Sequence, residues 1–369
     1  MESIRVLQLV SPTFGGIESF VFNHYRYMDK QRFQFDFLTQ NRALEGAEQY
    51  REFSYDVHLL QTAAARDRDA FIRRVREIFS EGFDVLHLNT SFWTGFLLEE
   101  LAKEAGIRKV IVHSHTSFID VSDEEKRAAL LRRHEEIKRA FPPELATDYW
   151  ACSQVAADWL FGPQIPRGKI RIMKNAIELE RFQFDPRKRE RVRDELGLGD
   201  ALVLGTAGRL SYQKNQAFLI DVFAKFRQRC PRSKLLFVGD GELRGELEAQ
   251  AAALGLEKDV LLLGWKTNVE DYLQAMDVFL LPSRFEGLGI AVVEAAASGL
   301  PCLVSDQVPK DVAFTEYIRH IPLALPAWTA ALEEASQLRP DRRDGVRVVR
   351  DAGYDIKRQA KILEALYEQ

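Results

Sequence analysis

Two carboxylates, Glu286 and Glu294, bracket a glycine-punctuated turn in RFEGLGIAVVEAAASGLP, residues 284–301, just after the apolar run DVFLLPS. Glu286 falls in the turn and Glu294 inside the helical run IAVVEAAASG, so the pair is divided between loop and helix. Gly287 and Gly289 let backbone approach a ligand, and Leu288 adds an amide between them. The helix start supplies positive potential, and each carboxylate can accept paired hydrogen bonds from vicinal hydroxyls. Sugars and ribose carry such hydroxyls. Upstream, GRLSYQKN places Arg209 and Lys214 on either side of a strand-to-helix turn, two cations where phosphates commonly sit. Paired carboxylates also suit glycoside hydrolysis, but that reaction needs an acid for a poor leaving group. Cations and amides suit a phosphate leaving group, and so a nucleotide sugar.

Three further strand ends could do chemistry. In SPTFGGIESF, Gly15 and Gly16 end a strand and open a helix, which fits either an anion site or a plain tight turn. VIVHSHTS ends with His113 and His115 in alternation on one face; His113 reads as a core residue and His115, nearer the strand end, as a site residue. VGDGELRG carries Gly239, Gly241 and Gly245, one residue too long for a dinucleotide fingerprint, and reads as turn chemistry. Asp67 and Asp69 of DRD open a basic helix and read as helix-start carboxylates rather than metal ligands. No metal site is apparent and no cofactor is expected.

The elements that must hold these residues alternate short apolar runs with longer helical ones, the pattern of parallel βα units. IRVLQLV, FQFDFLT, DVHLL, DVLHLN, KVIVHSH, DYWACS and KIRIMKNAI make one series; ALVLGTAGRL, KLLFVGDGE, VLLLGW, VFLLPS and PCLVSD make a second. The polar stretch 178–195 between them reads as a crossing segment. The expected organisation is a Rossmann-like domain over 1–177, a second over 178–352, and a terminal helix over 353–369 that docks on the first. At 369 residues with 46% hydrophobic content the chain can bury two cores. Fifty-one basic against 55 acidic side chains give −4, with no global reason to expect nucleic acid as a partner. Cys152, Cys230 and Cys302 lack metal-ligand spacing and read as reduced thiols, and neither a secretory signal nor a membrane-length apolar run is seen. The expectation is a cytoplasmic protein.

With these residues in view, the chain resembles the retaining glycosyltransferases of family 4, whose GT-B fold sets two doubly wound α/β domains facing across a cleft. The Glu-x7-Glu signature of that family is met by Glu286 and Glu294, its basic pair by Arg209 and Lys214, its Gly-Gly-x-Glu turn by GGIE at 15–18, and its histidine by His115. The resemblance implies that Arg209 and Lys214 hold a diphosphate, Glu294 the ribose, and Glu286 with the amides of Gly287 and Leu288 the transferred sugar. It implies that Gly15 and Gly16 present N–H groups to the donor phosphate, that His115 meets a sugar hydroxyl or the reaction centre, and that Glu18 lies on the acceptor side. The chain departs from the family at Ala176 and Glu178, and again over QVPKDVAFTEYIRHIPL, where it is similar to the capsule and exopolysaccharide branch. The implied reaction moves a sugar from a UDP-sugar to a saccharide or lipid-linked acceptor. Rival readings are a GT-B sugar-nucleotide epimerase and a non-catalytic nucleotide-sugar-binding partner. KRAALLRRHEEIKRAF at 126–141 could place Leu130, Leu131, Ile137 and Phe141 on one face beside six cations, which offers an anionic membrane surface as a partner on the inner side of the cytoplasmic membrane.

Overall fold

The computed structural model describes residues 3–10, 15–40, 42–44 and 52–369. The chain forms two compact units, the first built from Met1–Ile119, Glu125–Ala176 and Ile356–Gln369, the second from Asp120–Glu124 and Ile177–Asp355.

In the first unit the strands are β1 (Ile4–Leu9), β2 (Phe33–Thr39), β3 (Val57–Leu59), β4 (Val85–Thr90), β5 (Lys109–Ser114), β6 (Asp148–Ala151) and β7 (Ile170–Ile172). They pair in the order β3-β2-β1-β4-β5-β6-β7, every pair parallel. The order reverses between β1 and β4, the switch point at whose carboxyl edge open α/β sheets bind ligands. Helix Gly16–Tyr27 buries Ile17, Phe20, Val21 and His24, the spacing of one helical face. That face packs with Phe33, Phe35 and Phe37 of β2. The last helix, Ile356–Glu368, buries Ala360, Leu363, Leu366 and Tyr367 in the same cluster, and its Glu364 accepts from the Asp29 N–H at 2.7 Å. The terminal helix therefore docks on the first helix, as its amphipathic pattern requires.

The second unit holds β8 (Leu202–Ala207), β9 (Ser233–Val238), β10 (Val260–Leu262), β11 (Val278–Leu281), β12 (Cys302–Ser305) and β13 (Ile318–Ile321), in the order β10-β9-β8-β11-β12-β13 and again all parallel. Its switch point lies between β8 and β11. Strands β11 and β12 are buried at every residue, as a sheet covered on both faces demands.

The structure alters three details of the sequence reading. Residues 178–195 are not a bare connection: Leu179–Phe182 and Pro186–Glu195 are helices of the second unit, the latter started by Pro186 and by Asp185, whose side chain accepts from the Arg187 N–H. The stretch 307–325 contains edge strand β13. Helix Glu124–Ala140 fully buries only His134, which lies between the Trp93 N–H and the Trp159 carbonyl. Phe141 is withdrawn from the outward face and stacks on Trp93 at 4.6 Å between centroids, leaving Leu130, Leu131 and Ile137 half-buried beside exposed Lys126, Arg132, Arg133 and Arg139.

Candidate active site

The turn after β8 must bring a cation back to the sheet edge, and its backbone is bent to do so. Gly208 adopts φ +143°, and Asn215, at φ 55°, is the one non-glycine residue with positive φ among those described. Asparagine tolerates this left-handed conformation better than most residues. Its amide also donates to the Pro282 carbonyl at 3.1 Å, which ties the turn after β8 to the turn after β11. Lys214, one residue earlier, is thereby held with its Nζ 2.6 Å from Glu286 Oε1. Ser283 Oγ donates to the same oxygen at 2.6 Å, and Gln213 Nε2 to Oε2 at 3.2 Å. The lysine and glutamate side chains are 18% and 6% exposed, so the pair is largely shielded from solvent. Water screens it little.

Arg209 is placed differently. Its guanidinium is half exposed and pairs at 3.1 Å with the equally exposed Glu242. Such a surface pair is worth about 0–1 kcal/mol and yields readily to a better anion. The two cations of this turn thus each have a carboxylate of their own.

Two glycines of VGDGELRG, Gly239 and Gly241, are required by backbone packing, whereas a Cβ at Gly245 would meet nothing within 4 Å. A Cβ at Gly239 would lie 2.0 Å from the Gly208 carbonyl oxygen, and one at Gly241 2.3 Å from that of Leu210. The two turns are stitched by Gly208 N–H to Val238 O at 2.9 Å and Leu210 N–H to Asp240 O at 3.0 Å. Gly239 in turn bridges Gly264 at the end of β10, which is followed by Trp265, 64% exposed. Trp265 escaped the sequence reading although VLLLGW ends a strand. Its place shortly after strand β10 is the signal in the sequence that marks it.

Beyond β11, Gly289 caps helix Ile290–Ala297 at φ 90°, which excludes side chains readily. Gly287 and Leu288 are buried in the turn before it. Glu294 is half-buried one turn into the helix; desolvation, reinforced by Glu270 and opposed by Arg181 and Lys214, raises its pKa to about 7.

In the first unit, Gly15 is extended at the N-cap of helix Gly16–Tyr27, and Gly16 opens the helix; residues 11–14, which lead into this turn, lie outside the described residues. A Cβ at Gly16 would meet nothing within 4 Å, and neither glycine has a positive φ. Crowding does not account for glycine here, while exposed helix-start amides suit an anion. Glu18 is buried in the first turn. His113 is fully buried, as a core residue should be, and His115 is half-buried with its ring 4.0 Å from that of His113. His115 Nε2 lies 2.8 Å from Asn89 Oδ1. Asn89 is a second residue that the sequence reading passed over. Asp67 caps helix Arg68–Phe79 by accepting from the Ala70 N–H, and no group of three or more metal-ligating side chains occurs among the described residues.

Comparison with known proteins places the chain in a family. Residues 188–320 match the family described as Glycosyl transferases group 1, and residues 14–181 match Glycosyltransferase Family 4. The chain is 32% identical, over 98% of its length and 96% of the relative, to the glycosyltransferase-family protein EpsF of Bacillus subtilis (strain 168). It is 31% identical, over 65% of its length and 62% of the relative, to an Escherichia coli UDP-Gal:alpha-D-GlcNAc-diphosphoundecaprenol alpha-1,3-galactosyltransferase. In fold it is similar to HepE of Anabaena, solved with UDP and glucose, at a TM-score of 0.74 and 20% identity over 99% of this chain and 100% of that one.

The raised pKa of Glu294 has a measurable consequence. The folded state holds the proton up to about pH 7, whereas the unfolded carboxyl loses it near 4.5, so this group contributes stability below about 4.5 that is lost as pH rises through about 7. Glu294→Gln cannot ionise. In urea unfolding, its stability relative to the wild type should therefore increase between about pH 5 and about pH 8. A constant difference across that range would show that Glu294 is ionised normally.

Proposed function

The chain belongs to the retaining glycosyltransferases of family 4, GT-B enzymes that draw their sugar from a nucleotide sugar, and on that premise we propose that it moves the sugar of a UDP-sugar to a saccharide or lipid-linked saccharide during synthesis of an exopolysaccharide or capsule. The observation that carries this reading is the Lys214–Glu286 pair at the switch point of the second sheet, with Arg209 loosely held on the same turn. A nucleoside diphosphate sugar can replace both ion pairs at once. Its phosphate oxygens take Lys214 and Arg209, and its sugar hydroxyls donate to Glu286 while the amides of Gly287 and Leu288 face the sugar. Glu294 accepts from the ribose diol, and Trp265, beyond two stitched strand ends, offers a face to the base. In the first unit Gly15 and Gly16 direct N–H groups to a phosphate oxygen, His115 meets a sugar hydroxyl, and Glu18 serves the acceptor side.

Lys214 and Arg209 supply the positive charge that transfer draws on. As the bond between the anomeric carbon and the phosphate oxygen breaks, negative charge collects on that oxygen, and Lys214, largely shielded from water, stabilises it together with the more exposed Arg209. The acceptor oxygen attacks from the face the diphosphate leaves, which retains the configuration, and its proton passes to the departing phosphate. UDP is favoured because HepE binds UDP and UDP-glucose. A lipid-linked acceptor is favoured because the Escherichia coli relative is named for a diphosphoundecaprenol substrate. The resemblance of residues 307–325 to the capsule and exopolysaccharide branch narrows the pathway.

A groove of about 710 Å³ in the first unit fits such an acceptor: Arg68, Arg132 and Arg133 line it with Phe96, Leu97 and Ile137, and Glu100 and Glu136 leave the arginines in excess. Two of the exposed cations of helix Glu124–Ala140, Arg132 and Arg133, line this groove and, with Lys126 and Arg139 on the same helix, would draw it to an anionic bilayer.

Two measurements test the proposal. In a panel of UDP, GDP and ADP sugars, a UDP-sugar should give the largest thermal stabilisation, up to about 2.7 kcal/mol at a hundred times its Kd. Lys214→Ala should then cut transfer from that donor roughly 100-fold or more while the protein stays folded. Stabilisation by a GDP-sugar alone, or near-normal transfer by Lys214→Ala, would reject this assignment. For the membrane, sedimentation with vesicles should show binding to anionic lipid that falls as salt rises; binding that ignores lipid charge and salt would remove the electrostatic anchor.

A further inference from the structure

One face of the first sheet carries a stripe of buried polar side chains across its central strands. Gln8 of β1, His87 and Asn89 of β4 and His113 of β5 are all buried, and the registers Gln8↔His87 and Asn89↔His113 put them on one face. Buried polar groups this close are costly unless each finds a partner. Their hydrogen bonds form a single chain whose direction can be worked out from one fixed end.

That end is the Leu9 carbonyl, which can only accept. Asn89 Nδ2 lies 2.9 Å from it and 3.1 Å from Gln8 Oε1, so this atom is the donating nitrogen and Asn89 Oδ1 is the acceptor. His115 Nε2, 2.8 Å from Oδ1, must therefore carry a proton. With Gln8 Oε1 occupied, Gln8 Nε2 donates to Tyr367 Oη at 2.9 Å, and that hydroxyl donates to His87 Nδ1 at 2.7 Å. His87 Nε2 then donates to His113 Nδ1 at 3.1 Å. Two buried ring nitrogens at the end of this network, His113 Nε2 and His115 Nδ1, have no hydrogen-bond partner.

We propose that Asn89 is a positioning residue that fixes His115 as the Nε2–H tautomer, so that His115 Nδ1 serves as a hydrogen-bond acceptor for a hydroxyl of the sugar substrate. This rests on the transferase reading given above. Burial and the neighbouring His24 lower the pKa of His115 to about 3, so the ring is neutral at pH 7. It accepts a hydrogen bond and does not take up the acceptor's proton, which leaves proton transfer to the phosphate. The anchoring of this tautomer runs through Gln8 to Tyr367, so the last helix of the chain helps to hold the His115 ring in the first unit.

The test reads the tautomer directly. In the full-length chain labelled with 15N-histidine, His115 signals, assigned by their loss in His115→Gln, should show a pyrrole-type Nε2 and a pyridine-type Nδ1 without any ligand. A pyrrole-type Nδ1, or an imidazolium at neutral pH, overturns the proposal. In Asn89→Ala the ring should sample both tautomers, and kcat should fall about tenfold or more with little change in KM for the donor. An unchanged kcat overturns the positioning role. If that variant does not fold, Asn89→Asp, which keeps an acceptor oxygen for Nε2–H, must retain the pyrrole-type Nε2; its loss would also overturn the proposal. Because the spectrum needs no substrate, it is read independently of whether the transferase reading holds.

Discussion

The shielded contact between Lys214 and Glu286 is the constraint on which the second unit's site depends. A lysine brought this far out of water is stable only if a carboxylate stays beside it, and the carboxylate only if other donors satisfy its remaining lone pairs. Ser283 and Gln213 do so. The pair is assembled from two turns far apart in sequence, and holding them together takes a left-handed Asn215 bonded to Pro282. An anion arriving here exchanges one partner of Lys214 for another, so desolvation has already been met by folding. Arg209 complements it from the opposite regime: exposed, weakly paired and able to swing.

The first unit solves a different problem. Its central strands carry amides and imidazoles where a covered sheet would normally carry aliphatic side chains, and burial drives His87, His113 and His115 toward their neutral forms. Neutral rings have one donor and one acceptor each, so a chain of them has a direction, and direction is what a site residue needs to offer a lone pair rather than a proton. Tyr367 closes that chain from the last helix, whose apolar face alone would have accounted for its docking.

Much of this was legible in the sequence because it is local. Short apolar runs and longer helical patterns located the strands and most helices, and Arg209, Lys214 and Glu286 stood out because they follow strands, Glu294 because it sits in the helix after one. What was not legible depends on partners distant in sequence. That Gly239 and Gly241 are needed could not be separated from ordinary turn preference until the carbonyls of Gly208 and Leu210 were found against them. The chain from Asn89 to Tyr367 spans most of the sequence. Phe141 looked like part of an amphipathic face, and only the position of Trp93 shows that it faces inward. Strand β13, IRHI, sets Arg319 and His320 between its two buried isoleucines, so no apolar run marks it.

If Lys214 and Arg209 hold a diphosphate, the second phosphate must carry a large share of nucleotide affinity. Calorimetric titration of the full-length chain with uridine, UMP and UDP measures that share most directly. The diphosphate clamp predicts that UDP binds about tenfold or more tighter than UMP, a gain of about 1.4 kcal/mol or more, and that the gain shrinks as salt rises. Equal affinities for UMP and UDP would contradict it.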